Sequence, residues 1–326
     1  MKSLKLSVAM NGSKWGKKPN ILNSQALPDF PCSVEEALRD TKACYALGVR
    51  QFHVHSIGSN GEHVADRLWY RNYMSSFRQY FHDASICLAT SRSGQVTDQI
   101  IQKEKKLRIA GYSDEYRLLA FAETARLACL ESDASLLPDF VTGFTATEVR
   151  MYDDSTDIGH VTSAQSPAVT HLFYDQLTQK LKELKVKQEI EITTSDSIDI
   201  IEKIQNEQLL RTPIRIIILP EFTSSLSGWS WNEMETLVNK AERIIKKTGY
   251  YGDIVMGAIL RPNTPNLEIL RRHWLKFAVE NPKISTVRIG IEDCPVLFDK
   301  PTSNESLVKV TCELLNEFGG EILPLA

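Results

Sequence analysis

The sequence predicts a (β/α)8 barrel, a TIM barrel in which eight parallel strands alternate with eight helices. Short apolar runs alternate with amphipathic runs along the chain, eight of each. Runs such as Ile216-Ile217-Ile218-Leu219 are apolar on both faces, which is typical of parallel strands covered by helices. The length of 326 residues suits one large barrel. We therefore expect residues 1–326 to form a single TIM-barrel domain.

The elements follow in order from these patterns. The predicted strands are residues 5–10, 51–55, 84–90, 140–145, 189–193, 215–219, 253–258 and 286–291. The predicted helices are residues 34–47, 69–82, 114–131, 170–185, 198–206, 232–247, 267–278 and 305–318. Ser33 with Glu36 is a capping box that opens the first helix, and Gly48 marks its end. Asn304 with Glu305 is expected to start the last helix in a similar way.

Composition excludes several classes of protein. The net charge of -3 gives no electrostatic footprint for nucleic acid or an anionic membrane surface. No stretch approaches the roughly 20 apolar residues of a membrane helix, and the short apolar run at the start fits a first strand better than a signal peptide. The six cysteines lack any Cys-x-x-Cys spacing and suit reduced thiols in the core. We expect a cytoplasmic protein.

Polar residues at the ends of two predicted strands point to a metal site. Alternate residues on a strand share a face, so His53 and His55 point the same way, as do Arg288 and Glu292. Active sites of such barrels lie at the C-terminal ends of the strands, and the second and eighth strands both lie close to the first. Two imidazoles and one carboxylate are the ligand set of an open, catalytic zinc site. Taken alone, however, paired histidines on a strand are more often core residues.

Arg288 needs a partner if it points into the barrel, because an unpaired buried charge costs several kcal/mol. Asp293 is the natural partner, and Gly290 is expected to leave room for a substrate or another side chain. Two interpretations stay open at this point. The pair either ties the barrel together or takes part in catalysis.

Three motifs resemble one family, the beta-keto acid cleavage enzymes, whose first characterised type is the 3-keto-5-aminohexanoate cleavage enzyme. The motifs are Phe52-His53-Val54-His55 followed by Asn60-Gly61, Arg288-Ile289-Gly290-Ile291-Glu292-Asp293, and Ser303-Asn304-Glu305-Ser306-Leu307-Val308. The resemblance runs nearly the whole length of the chain. It implies a Zn2+-dependent homo-oligomer, a dimer or tetramer, that condenses a beta-keto acid with acetyl-CoA and releases acetoacetate and a new CoA thioester.

The resemblance also implies roles for individual residues. His53, His55 and Glu292 match the residues that hold the metal. Asp293 and Arg288 match the catalytic pair, with the aspartate as the base that begins attack on the thioester.

Further residues are expected to contact the substrate. The hydroxyl of Thr90 or Ser91, after the third strand, and that of Thr147, near the fourth, are placed to donate hydrogen bonds to the substrate carboxylate or an oxyanion. For these hydroxyls an ordinary strand-end or capping role stays equally open. Glu191 is expected to face inward and either bind a substrate group or pair with Arg261.

Two alternative functions remain. A zinc-dependent hydrolase of the amidohydrolase type carries His-x-His on its first strand and needs histidines on the fifth and sixth strands, whereas residues 189–193 and 215–219 contain none. A catalytically degenerate barrel that binds a small carboxylate or a protein partner is the second alternative. It is suggested by the loops after the third and sixth strands, which differ from the pattern usual in the family.

Overall fold

The computed structural model describes residues 1–12, 27, 29–58, 67–89, 136–142, 178–192, 197–206, 208, 210–222, 229–260, 264–298 and 300–323. Its parallel barrel strands are β1 (Lys2–Ala9), β2 (Gln51–Val54), β3 (Ser85–Leu88), β4 (Phe140–Thr142), β5 (Lys187–Ile192), β6 (Ile214–Ile218), β7 (Asp253–Met256) and β8 (Thr286–Ile289). β8 pairs with β1, Ser7 lying opposite Arg288, and this pairing closes the ring. The predicted (β/α)8 barrel is confirmed.

Helices lie between the strands as expected. They are α1 (Val34–Ala46), α2 (Arg67–Tyr80), α3 (Ser197–Asn206), α4 (Trp231–Thr248), α5 (Leu267–Glu280) and α6 (Asn304–Glu317), and residues 178–184 are also helical. The predicted helix 114–131 and the first part of the predicted helix 170–185 lie outside the described residues. The capping box of α1 is confirmed, since Ser33 and Glu36 each accept the other's backbone N–H. Gly48 follows the helix with a φ of +94°, as an end signal should.

The start of α6 differs from the prediction. Ser303, not Asn304, is the N-cap, and its hydroxyl accepts a hydrogen bond from the backbone N–H of Ser306. Asn304 is fully buried, and its side chain bonds the loop after β8 instead of the helix. The expectation that Asn304 opens the helix as a cap was therefore wrong.

Small additions complete the sheet. Strand β9 (Gly320–Ile322) pairs in parallel with the start of β1, residues 2–4. Residues 221–222 pair with residues 259–260, just beyond β6 and β7. Residues 296–297 and 300–301 form an antiparallel pair before α6. The last two additions belong to loops that follow barrel strands, at the end where barrel enzymes build their sites.

The two faces of the barrel strands have different compositions. Phe52 of β2 packs edge-on against Phe77 of α2, and it shares the layer between strands and helices with Ile216 and Met256. Because side chains alternate along a strand, the neighbours of these residues face the interior. The interior residues of β2, β5, β6 and β8 include polar and charged side chains: Gln51, His53, Glu189, Arg215 and Arg288. The main hydrophobic core thus lies outside the strands. The barrel interior carries charge beside a small apolar cluster of Ile217, Leu219, Val255 and Ile259.

Two further expectations can be compared with the described residues. Within the described ranges, none of the helices is long and apolar enough to cross a membrane. Five of the six cysteines lie in those ranges as free thiols, and four of them are buried, as expected for small core residues: Cys32, Cys44, Cys87 and Cys294.

Candidate metal centre

The two histidines lie where β2 ends. His53 is the third residue of the strand and His55 follows it, and the two Nε2 atoms are 3.1 Å apart. Asn11, just after β1, clamps the backbone of His55: its Oδ1 accepts from the His55 N–H at 2.8 Å, and its Nδ2 donates to the His55 carbonyl at 3.2 Å. A side chain that bonds both backbone groups of one residue fixes that residue's position. Both imidazoles therefore face the interior from a rigid backbone.

Glu292 reaches the same point from the turn after β8. Its Oε1 lies 2.8 Å from His55 Nε2, and its Oε2 lies 3.4 Å from His53 Nε2. Gly12 leaves space for this side chain, because a Cβ at position 12 would lie 2.6 Å from Glu292 Cγ. One ligand atom from each of the three residues lies within 4.8 Å of the others. The structure thus brings together the three predicted metal ligands.

The donor set fits a divalent cation. A tetrahedral zinc with bonds of about 2.0–2.2 Å has ligand atoms about 3.3–3.6 Å apart. The 3.1 Å between the two imidazole nitrogens and the 3.4 Å from His53 to the carboxylate are close to this spacing. The 2.8 Å from His55 Nε2 to Glu292 Oε1 is shorter and is the length of a direct hydrogen bond. All three side chains are largely buried, so the site is shielded from bulk water. Two neutral imidazoles and one carboxylate at such distances suit zinc with one position left open.

Charge around the site also calls for a cation. In the part of the chain that the structure describes, four carboxylates and two guanidiniums form one ion-paired cluster at this site. They are Glu189, Glu191, Glu292, Asp293, Arg215 and Arg288. With neutral imidazoles this cluster carries two negative charges in excess, in a region where unbalanced charge is costly. A bound divalent cation would neutralise the excess.

The protonation tendencies of the ligands have clear causes. Burial lowers the pKa of His55 despite the nearby Glu292, which favours the neutral ring that a metal requires. Burial and Arg288 act to lower the pKa of His53, but Glu292 and Glu189 outweigh them, so it is raised. Burial acts to raise the pKa of Glu292, but His55, His53 and Arg288 hold it well below its usual range. Glu292 is therefore ionised, as a metal ligand should be.

Arg288 lies at the centre of the charged cluster. Its Nε and Nη2 donate to the two carboxylate oxygens of Asp293 at 2.9 and 3.2 Å, a bidentate pair, and its Nη1 donates to Glu191 at 2.6 Å. The expected partnership of Arg288 with Asp293 is observed. Burial, reinforced by the charge of Glu292, raises the pKa of Asp293 even though Arg288 opposes the shift. Glu191 faces the site, and among the described residues it pairs with Arg288.

Comparison with known proteins identifies the family. The family model described as beta-keto acid cleavage enzyme matches residues 4–252. The chain belongs to this family. The match ends before β8, so the carboxylate side of the centre lies beyond the matched stretch, and the barrel's closure brings it to the histidines.

Other comparisons are more distant. A search of curated proteins gave no significant match. Among solved structures, the chain is similar to type I 3-dehydroquinate dehydratase from Clostridium difficile, with 10% identity, a TM-score of 0.46, and coverage of 97% of this chain and 94% of that one. It is also similar to dihydropteroate synthase from Yersinia pestis, with 8% identity, a TM-score of 0.46, and coverage of 97% and 94%.

Some predicted residues of this beta-keto acid cleavage enzyme fall outside the described ranges. They are Thr90, Ser91, Thr147 and Arg261. The substrate contacts of the three hydroxyl groups stay predictions, and so does the alternative pairing of Glu191 with Arg261.

Sequence reasoning overlooked four residues of the centre. They are Asn11, Gly12, Glu189 and Asn304, each of which contacts a metal ligand or the backbone beside one. A usable signal existed for Asn11 and Gly12, because they directly follow a barrel strand at its C-terminal end.

Asn304 fixes the loop that carries Glu292. Its Oδ1 accepts from the Ile291 N–H at 2.9 Å, and its Nδ2 donates to the Met10 carbonyl at 2.9 Å and to Asp40 at 2.6 Å. One buried amide therefore joins α1, α6, the end of β1 and the residue before the ligand. This explains why the side chain is turned inward and not toward the helix terminus.

We expect Asn304→Ala to lower the free energy of unfolding by about 1–3 kcal/mol, because it leaves buried polar groups without partners. Zinc affinity should fall as well, since Glu292 follows the freed Ile291 N–H. Urea unfolding and chelator competition measure the two effects. Asn316→Ala, an exposed asparagine on the same helix, is the control and should change stability by no more than about 0.5 kcal/mol. Equal behaviour of the two variants would contradict the role of Asn304.

Proposed function

We propose that this member of the family is a Zn2+-dependent enzyme that condenses a beta-keto acid with acetyl-CoA and releases acetoacetate and a new CoA thioester. The observation that carries the proposal is the convergence of His53, His55 and Glu292, whose ligand atoms lie within 4.8 Å of one another. Family membership supports the reaction class. In the net reaction, the carboxymethyl fragment of the keto acid passes to the acetyl group, and the remaining acyl group takes the CoA sulfur.

A cation at this point supplies Lewis-acid polarisation of the keto oxygen of the substrate. The protein's own part begins with Asp293, which we assign as the base that removes a proton from the carbon between the two carbonyl groups. Its bidentate bond to Arg288 holds the carboxylate in one orientation. Burial raises its pKa, and a stronger base transfers this proton more readily.

Arg288 has a second part in the proposal. Its guanidinium stays charged, because Asp293, Glu191 and Glu292 raise its pKa far above its usual value against the effect of burial. The positive charge lies beside Asp293, the proposed base. Arg288 therefore both orients Asp293 and lowers the energy of the negative charge that develops.

The proposal assigns substrate contacts to Glu191 and to the hydroxyls of Thr90, Ser91 and Thr147. Glu191 is 15% exposed at its side chain, and this partial exposure supports a contact with a substrate. Its bond to Arg288 partly neutralises its charge. We propose that it orients the arginine toward the substrate and that the hydroxyls bind the substrate carboxylate.

The test begins with the metal content of the purified protein, measured by mass spectrometry. It continues with assays of acetoacetate and of new CoA thioesters, using acetyl-CoA and beta-keto acids with neutral, cationic and anionic side groups. We expect about one zinc per chain and turnover of part of the panel. Glu292→Gln should weaken zinc binding by about 100-fold or more, beyond the roughly 10–100-fold that the loss of an outer partner costs.

The matched control is Glu268→Gln. Glu268 is also paired with a buried arginine, Arg271, at 2.8 Å, but it belongs to α5 and contacts none of the proposed ligands. This variant should keep its zinc. Zinc without turnover across the whole panel would favour a binding protein over the proposed enzyme, and hydrolysis products without acetoacetate would favour a hydrolase.

A further inference from the structure

A second carboxylate stands behind His53, on the side away from the other proposed ligands. The Nε2 atom of His53 faces His55 and Glu292, whereas its Nδ1 atom lies 3.3 Å from Oε1 of Glu189. Both of these facing atoms are buried and form no hydrogen bond of standard geometry among the described residues, so each has the other as its nearby polar contact. The imidazole is thus set between two carboxylates, one for each nitrogen.

Glu189 is itself fixed by a cation. Its Oε2 accepts from Arg215 Nη1 at 3.2 Å, and the Arg215 guanidinium lies 3.7 Å from the centre of the Phe140 ring. Glu189 and Arg215 are register partners on β5 and β6, so two adjacent barrel strands hold the pair. A second guanidinium is close as well, since Arg288 Nη1 lies 3.7 Å from Oε1 of Glu189, and two buried cations favour the ionised carboxylate.

We infer that Glu189, held by Arg215, is a positioning residue that accepts the Nδ1–H of His53 and so directs the lone pair of Nε2 toward the metal position. The inference rests on the proposed function, because the orientation of the ring matters only if a metal binds there. A histidine ligand commonly donates its other ring N–H to a carboxylate, which fixes the tautomer and raises the basicity of the ligating nitrogen. Glu189 has the reach, the charge and the rigid support for that role.

A rival arrangement involves a second ion. His53, Cys87 and Glu189 also have ligand atoms within 4.8 Å of one another and are all buried. An ion there would lie beside the Arg215 guanidinium, which already bonds Glu189, and would face like-charge repulsion. The second ion would also bind Nδ1 of His53, whereas the first would bind Nε2. Two ions would therefore need His53 as an imidazolate, with no proton on either nitrogen. The single site with an outer carboxylate is therefore the better account.

The test compares Glu189→Gln with Glu191→Gln, two residues along the same strand. Glu191 also bonds a guanidinium, but that of Arg288, and not the imidazole of His53. We expect Glu189→Gln to weaken zinc binding by about 10–100-fold in chelator competition. In the zinc-loaded protein, the NMR resonance of the His53 Nδ1–H proton should shift upfield and exchange faster with water. The Glu191→Gln variant should leave this resonance unchanged.

The outcomes separate the inference from the proposed function. A wild-type protein that binds no zinc overturns both. One zinc per wild-type chain, with an unaltered affinity and an unaltered His53 resonance in folded Glu189→Gln, overturns the inference alone. Two ions per chain, with thiolate-to-cobalt charge-transfer absorption after cobalt substitution, would replace it with the second metal site. Thermal melting of each variant verifies that it is folded.

Discussion

Replacing Arg288 with methionine is expected to lower the free energy of unfolding by about 3–5 kcal/mol and to abolish turnover. Arg288 is 1% exposed and bonds Asp293 and Glu191 at 2.9 and 2.6 Å. Methionine fills a similar volume but leaves these two buried carboxylates without their guanidinium partner. Urea unfolding measures the stability, and acetoacetate formation measures the activity of the folded protein.

Arg272→Met is the control for this change. Arg272 pairs with Glu317 on the surface, its side chain is 44% exposed, and such pairs contribute only about 0.2–1 kcal/mol. Arg288→Lys adds a second comparison, because it keeps the charge and loses the planar fork that bonds Asp293 bidentately. Compared with Arg288→Met, the Arg288→Lys variant should regain a larger share of the wild-type free energy of unfolding than of the wild-type turnover. If Arg288→Met unfolded at the same urea concentration as Arg272→Met, the account of the buried cluster would be wrong.

The sequence was sufficient to predict the fold because its signals are local. Strand-length apolar runs and amphipathic runs alternate regularly, and a capping box or a glycine marks the ends of α1. The run of β6 is apolar on both faces, which indicated a parallel strand, and all five residues of β6 are buried. Only one helix start, at Asn304, was assigned to the wrong capping residue, since Ser303 offers an equally good local signal.

The convergence at the metal centre was predictable for a different reason. Because side chains alternate along a strand, His53 and His55 were expected on one face, and Glu292 on the same face as Arg288. Because the barrel is closed, the ends of the strands that carry them were expected to lie close together. The structure brings these side chains together with Arg288 and Asp293 as expected. Their roles in binding metal and in catalysis stay predictions until they are tested.

The supporting contacts could not be predicted. Asn304 bonds Met10 across 294 positions of the chain, and Arg215 bonds Glu189 across 26. Periodicity indicates which face of a strand a residue occupies. Its partner on that face depends on the register between strands, which periodicity alone does not give. The contact between Glu189 and His53 was therefore not predicted.

The role of Gly290 was also predicted wrongly, because it too depends on a contact between distant parts of the chain. The space beside it was expected to accommodate a substrate or another side chain. The backbone of β1 occupies that space, and a Cβ at position 290 would lie 2.0 Å from the carbonyl oxygen of Ala9. Gly290 also has a φ of +143°, a backbone angle that residues with a side chain rarely adopt. The glycine is required by the close approach of β8 and β1.

We therefore expect Gly290→Ala to lower the free energy of unfolding by about 2–6 kcal/mol, the sum of backbone strain and overpacking. The Gly290 carbonyl accepts the N–H groups of Asp293 and Cys294 at 3.2 and 2.9 Å. Displacement of this turn should therefore move the proposed catalytic pair and weaken zinc binding. Urea unfolding and chelator competition measure the two losses.

Gly319→Ala separates the two contributions. Gly319 has a φ of +81° but no described heavy atom within 4 Å of an added Cβ, so this variant suffers only the strain of about 1–3 kcal/mol. The excess loss in Gly290→Ala measures the overlap with Ala9, and only that variant should lose zinc affinity, because only its turn carries Glu292. Equal losses of stability with unchanged zinc binding would mean that the contact between β8 and β1 does not position the ligand.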